Sequence, residues 1–90
     1  MSVQVEIPTV LRPYTAGERQ VAAEGTDLSQ LISDLDSRHS GLADRLLEDG
    51  RLRRFVNVYL NDEDVRFLDG LATPLRDGDV VTILPAVAGG

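Results

Sequence analysis

The sequence predicts an α+β domain in which one mixed sheet of about four to five strands packs on a single main helix. Three observations point to it. Val3, Val5 and Ile7 alternate with Gln4 and Glu6, the period of a strand with one buried face. Leu28, Leu31, Ile32 and Leu35 recur at i, i+3, i+4 and i+7, a single apolar helical stripe. Two further apolar runs, Phe55 to Leu60 and Val80 to Leu84, follow that helix, so strands flank it on both sides in the chain.

After the first strand, Pro8 limits continuation, and Val10 to Gly17, with Pro13 inside it, reads as a turn. Arg19 to Ala23 then pairs back as a hairpin. Asp27 is placed to cap the helix, with Gln30 reaching back three residues later as in a capping box. Gly41 marks the helix end. Each buried leucine of the stripe contributes roughly 1.5–3 kcal/mol before entropy is subtracted. Leu42, Leu46 and Leu47 suggest a short second helix closed by Gly50. Asn61 to Asp64 is a turn by composition, Val65 to Phe67 a brief edge strand, and Asp77-Gly78-Asp79 another turn. Pro85 ends the last strand, since proline offers no N–H to a ladder.

The order is strand, strand, helix, strand, short strand, strand. A right-handed crossover from the hairpin through the helix lays a later strand parallel to the first, which is the mixed sheet of a β-grasp. The chain of 90 residues fits one domain, taken as residues 1–85, and is too small for a deep, enclosed active site. Residues 86–90 hold nothing that could anchor a core and are expected to form a flexible tail.

Charge narrows the partners. Fifteen acids against nine bases give a net charge of −6, a field that repels phosphate backbones and anionic lipid. Nucleic acid and membrane are therefore not expected as partners, and an acidic surface favours docking on a basic patch of another protein. Cysteine is absent, which removes disulfides, thiolate metal sites and a cysteine nucleophile. The start of the chain lacks a basic region followed by an apolar stretch, so the expected location is cytoplasmic.

The end of the sequence, Ala86-Val87-Ala88-Gly89-Gly90, carries the chemical reading. Two glycines without side chains enter a channel too narrow for other residues, with Val87, Ala88 and Gly89 giving access and Gly90 bearing the reactive group. A terminal carboxylate is ionised at neutral pH and is a poor electrophile. Adenylation supplies a leaving group, and attack by a sulfur nucleophile then leaves a thiocarboxylate on Gly90.

The Asp77-Gly78-Asp79 turn, a final strand ending in Pro85 and the closing Gly89-Gly90 resemble the ThiS/MoaD sulfur carriers, which are ubiquitin-like β-grasp proteins. The stretches Ile7 to Pro13, Arg54 to Phe67 and Thr82 to Gly90 are similar to the members of that family that serve cysteine biosynthesis, and the likeness spans nearly the whole chain. The segment between Leu46 and Leu52 is shorter than the family pattern. The resemblance implies a protein that is not an enzyme and binds no cofactor itself. It implies an activating enzyme that adenylates Gly90 with ATP, a pyridoxal-phosphate cysteine synthase that takes the sulfur, and a metalloprotease-like hydrolase that releases cysteine. Within the family the alternatives are the small subunit of molybdopterin synthase and a thiamine sulfur carrier. Outside it stands a ubiquitin-like interaction or conjugation module.

Strand parity adds a surface. With Val56, Val58, Val81 and Ile83 facing the helix, Tyr59, Thr82 and Leu84 lie on the outer face, either as a partner-docking patch or as an ordinary sheet surface with stray apolar groups. His39 has no second histidine or cysteine for a metal and reads as a surface group near a helix end. Asp62, Glu63 and Asp64 lack the spaced oxygens of a calcium loop and read as a solvated turn. Arg51, Arg53 and Arg54 read as a solvated edge, and Gly50, Gly70 and Gly78, without phosphate-loop spacing, as turn glycines.

Overall fold

Val3, Val5 and Ile7 are buried while Gln4 between them is exposed, so the alternation at the start of the chain becomes strand β1, Val3–Glu6. A computed structural model of the chain describes residues 2–85; Met1 and residues 86–90, on which the predicted free tail falls, lie outside the described residues. Strand β2, Gln20–Ala23, returns antiparallel along β1 from Val3 opposite Ala23 to Glu6 opposite Gln20. On its other side β1 runs parallel to the last described strand, Val80–Pro85, with Gln4, Val5 and Glu6 opposite Val80, Val81 and Thr82. This parallel pair is what the crossover rule anticipated.

Helix α1, Leu28–Arg38, buries the predicted stripe of Leu28, Leu31, Ile32 and Leu35. Asp27 Oδ1 accepts from the Gln30 backbone N–H at 2.8 Å. The return contact lands one residue earlier than a capping box requires: Gln30 Oε1 accepts from the Thr26 N–H at 3.0 Å and the Thr26 hydroxyl at 2.7 Å. Gly25 sits so close to this first turn that a Cβ there would lie 2.5 Å from the Leu31 nitrogen. The helix ends at Arg38, before Gly41. Gly41, at φ +94°, instead starts the second helix α2, Leu42–Leu46. Asp36 of α1 caps that start by accepting from the N–H groups of Gly41 and Ala43, both at 3.1 Å.

Four loop readings are corrected by the backbone. Val10 to Gly17 is not an open turn: Thr9–Thr15 forms a 3₁₀ helix that Ala16 and Gly17 stop with φ of 54° and 86°. Gly50 does not close α2. Leu47 already belongs to strand β3, Leu47–Glu48, which pairs with β4, Arg51–Leu52. Asp49 and Gly50 between them both have positive φ, the two-residue hairpin turn that Asp-Gly favours. The edge strand is not Val65–Phe67 but β6, Glu63–Asp64, which pairs with β5, Val56–Leu60. Asp64 Oδ1 accepts from the Arg66 N–H at 2.9 Å, and this local bond bends Val65–Phe67 into a 3₁₀ turn. Finally, Pro85 lies inside the last strand, β7, as its final paired residue opposite Val56.

The main sheet has five strands in the order β2-β1-β7-β5-β6. One of its faces meets α1, and Val3, Val5, Val58, Val65, Leu75, Val81 and Ile83 join the helix stripe in a single aliphatic core. The fold class predicted from the sequence is the one observed, a β-grasp. Leu31 has no solvent exposure, so Leu31→Asp should remove roughly 3–5 kcal/mol of stability. Urea denaturation measures this, and a midpoint equal to that of the native chain would contradict the assigned packing.

Candidate functional site

The site is the corner of the sheet at which β7 hands the chain on to Ala86. Strand parity places its residues. Val81 and Ile83 of β7 and Val56 and Val58 of β5 point into the core, leaving Thr82 and Leu84, Asn57 and Tyr59 on the outer face. Tyr59 stands directly opposite Thr82, and Leu84 opposite Asn57, so Tyr59 and Leu84 are diagonal neighbours within reach of one another's side chains. The three residues assigned to a surface patch thus share one face. Leu84 is 45% exposed, while Tyr59 and Thr82 are half-buried. Beyond Thr82 the face continues to Glu6, whose Oε1 lies 3.4 Å from the Thr82 hydroxyl.

Arg66 holds this corner. Asn61 N–H donates to Val80 O at 2.9 Å. Counting in twos along the β5–β7 register makes Tyr59/Thr82 and Asn57/Leu84 bonded pairs, and Val56/Pro85 a non-bonded one. The Val56 carbonyl therefore points away from β7, to the side where β6 is too short to reach. Arg66 supplies the missing donors: Nη2 reaches Val56 O at 2.6 Å and Arg53 O at 3.0 Å, and Nη1 reaches Asn57 Oδ1 at 2.7 Å. By the same alternation the Pro85 nitrogen faces the side where β1 has already ended at Glu6, opposite Thr82. Proline is accommodated there because no ladder bond is required of it.

Around the corner, the 3₁₀ segment contributes Val10 and Arg12, and Arg19 precedes β2. These residues, with Glu6, Pro8, Leu84 and Pro85, line a shallow open groove. Across β7, Arg54 and Phe55 lead into Val56, the partner of Pro85. Val10 and Phe55 are 64% and 58% exposed. Of the predicted solvated arginines, Arg53 is engaged: its Nε donates to Asp44 O at 2.9 Å and its Nη1 lies 3.8 Å from Glu48.

Other residues fall into structural roles. His39 caps α1, its N–H donating to Leu35 O at 2.7 Å. Arg45 of α2 has its pKa raised by the hydrogen bond from Nε to the Tyr14 hydroxyl at 2.7 Å and by that ring's proximity. Among the described residues no three His, Asp or Glu side chains stand close enough to hold a metal ion. Gly50, Gly70 and Gly78 all have positive φ, as turn glycines do. Gly90, Gly89, Ala88 and Val87 lie outside the described residues. One chemical signal escaped the reading by motif: all nine basic residues are arginines.

The five-stranded mixed sheet folded over one helix, with its last strand next to the first, defines a β-grasp domain of the ubiquitin-like kind. Residues 5–90 match the ThiS family, and the chain belongs to that family. It is 58% identical over 93 aligned positions to the sulfur carrier protein CysO of Mycobacterium tuberculosis, covering 100% of both chains. Small archaeal modifier protein 3 of Haloferax volcanii is 46% identical over 63 positions, covering 70% of this chain and 68% of the relative. A chain in the crystal structure of the Amycolatopsis orientalis BexX/CysO complex superposes with a TM-score of 0.94 at 55% identity, over 98% of this chain and 99% of that one.

Replacing Arg66 by alanine leaves the Val56 and Arg53 carbonyls without their donor. The Arg66→Ala chain is expected to lose about 1–2 kcal/mol, and Arg66→Lys to recover less than half, since an ammonium cannot serve three acceptors with the fixed guanidinium fork. Chemical denaturation of the three chains checks this. Equal stability of all three would contradict the bracing role.

Proposed function

We propose that the chain is a protein-borne sulfur donor for cysteine biosynthesis, in which Gly90 carries the sulfur and the β-grasp surface selects the partners. The observation that carries this is the match to CysO over the full length of both chains, with the Gly89-Gly90 end included in the ThiS family match. It is a substrate of enzymes and not itself an enzyme.

The chemistry runs on the Gly90 carboxyl carbon. An activating enzyme transfers AMP from ATP to the carboxylate, with pyrophosphate leaving. Hydrosulfide then attacks the acyl carbon and expels AMP, so a C–S bond forms as a C–O bond breaks. The thiocarboxylate sulfur next bonds to the β-carbon of an activated serine on a pyridoxal-phosphate cysteine synthase, displacing its leaving group. A metalloprotease-like hydrolase adds water at the Gly90 carbonyl, frees cysteine and restores the carboxylate. A cytoplasmic location would supply the ATP that the activation consumes.

Gly89, Ala88 and Val87 give Gly90 access to narrow channels, since small or absent side chains make a slender segment. Tyr59, Thr82 and Leu84 are the partner-facing patch. An exposed leucine diagonal to a tyrosine suits the apolar centre of a protein interface. A second reading, protein conjugation, is favoured by the likeness to an archaeal modifier protein. It calls for Gly90 amide-linked to lysines of other proteins.

Intact mass spectrometry separates the two. After incubation with ATP, a candidate activating enzyme and sulfide, the expected product has one oxygen of Gly90 replaced by sulfur; lysine-linked adducts in extract with no thiocarboxylate would favour conjugation instead. Leu84→Glu is expected to weaken binding to the activating enzyme about tenfold or more while leaving the melting temperature within a few degrees of native. Calorimetric titration giving an unchanged affinity would remove Leu84 from the interface.

A further inference from the structure

The net charge of −6 suggests docking on a basic surface, but the charges are not spread evenly over the sheet. At the corner where β7 ends, Arg12 and Arg19 line the groove with a single carboxylate, Glu6. Arg54 stands two residues from Val56, the partner of Pro85. Arg19 and Arg54 are exposed, and neither side chain makes a hydrogen bond or ion pair among the described residues. The opposite end of β7 is acidic. There Asn61 bonds to Asp79 and Val80, which brings the Asn61-Asp62-Glu63 turn beside the Asp77-Gly78-Asp79 turn. Arg76 directly precedes the second of these turns. The molecule is thus polarised along its last strand, with its positive end at the root of the diglycine segment.

We infer that Arg19 and Arg54 form a two-sided basic collar around the tail root, and that it docks on an acidic rim surrounding the channel that receives Gly90. Val10 and Leu84 line the groove with Arg19, Phe55 follows Arg54 in the chain, and all three are exposed and offer apolar contact. The collar rests on the sulfur-carrier reading, because it takes the enzyme that activates Gly90 as the occupant. Charge complementarity argues for that occupant. A rim of carboxylates attracts the collar and repels the acidic far end, so the carrier approaches with its tail foremost. The net-charge expectation of a basic partner surface is reversed at the one place where contact matters.

The test uses the full chain, the double variant Arg19→Glu/Arg54→Glu, and Glu63→Arg, which alters the exposed far end. Circular dichroism melting first establishes that all three fold. Association with the activating enzyme that makes the Gly90 thiocarboxylate is then followed by stopped-flow fluorescence at low and high salt. The double variant is expected to associate at least about tenfold more slowly at low salt, with the difference shrinking as salt rises, while Glu63→Arg changes the rate less than twofold. Equal or faster association of the double variant, or a loss that salt does not diminish, overturns the collar. Thiocarboxylate formation on the native chain is scored separately by mass. If it forms while the double variant associates normally, the collar alone fails. If no candidate enzyme forms it, the carrier reading fails and the collar with it.

Discussion

The parallel pairing of β1 with β7 is the constraint on which the rest of the structure depends. It joins Gln4 to Val80 and Val5 to Val81, segments that are distant in the chain, and so obliges the chain to cross over one face of the sheet somewhere between them. Helix α1 is that crossover, and its stripe of leucines fills the space that the crossover encloses. Because the two central strands point the same way, the chain leaves β7 at the end where β1 has already turned into the 3₁₀ segment after Pro8. The exit corner is therefore open on one side. On the other it is bounded only by the start of β5.

An open corner leaves backbone groups without strand partners, and side chains meet that demand. Arg66 serves two carbonyls and Asn57, and Pro85 has no N–H to satisfy. Such a corner needs no further strand, so the residues after Pro85 are not required to complete the sheet. Fold and chemistry are separable in consequence. The described core lies upstream of Ala86, and the carboxylate proposed to carry the sulfur belongs to the last residue. The same separation appears in charge, with an acidic composition overall and arginines lining or flanking the corner where β7 ends.

Much of the fold was legible because its elements are strongly periodic. The alternation at Val3 to Ile7, the Leu28 to Leu35 stripe and the run from Val80 to Leu84 each have one burial solution. Parity alone placed Tyr59, Thr82 and Leu84 on one face. What escaped were features set by local hydrogen bonds or by register. Asp64 bending Val65–Phe67 into a 3₁₀ turn, the Asp49-Gly50 hairpin and the shift of the Gln30 contact to Thr26 depend on side chains that serve several backbone geometries equally well. Arg19 and Arg54 are 35 positions apart, and nothing short of the β2-β1-β7-β5 order shows that they flank one point. Gly41 read as a stop because a glycine with positive φ suits a helix end, and here it starts the next helix instead.

The most direct measurement compares sulfur delivery by the native chain with that of a chain ending at Gly89, in a reconstituted mixture of activating enzyme, cysteine synthase and hydrolase. Both should unfold at the same temperature, since the described core excludes the tail. Cysteine should form in proportion to carrier with the native chain alone. Equal cysteine from the shortened chain would contradict the assignment of the sulfur to Gly90.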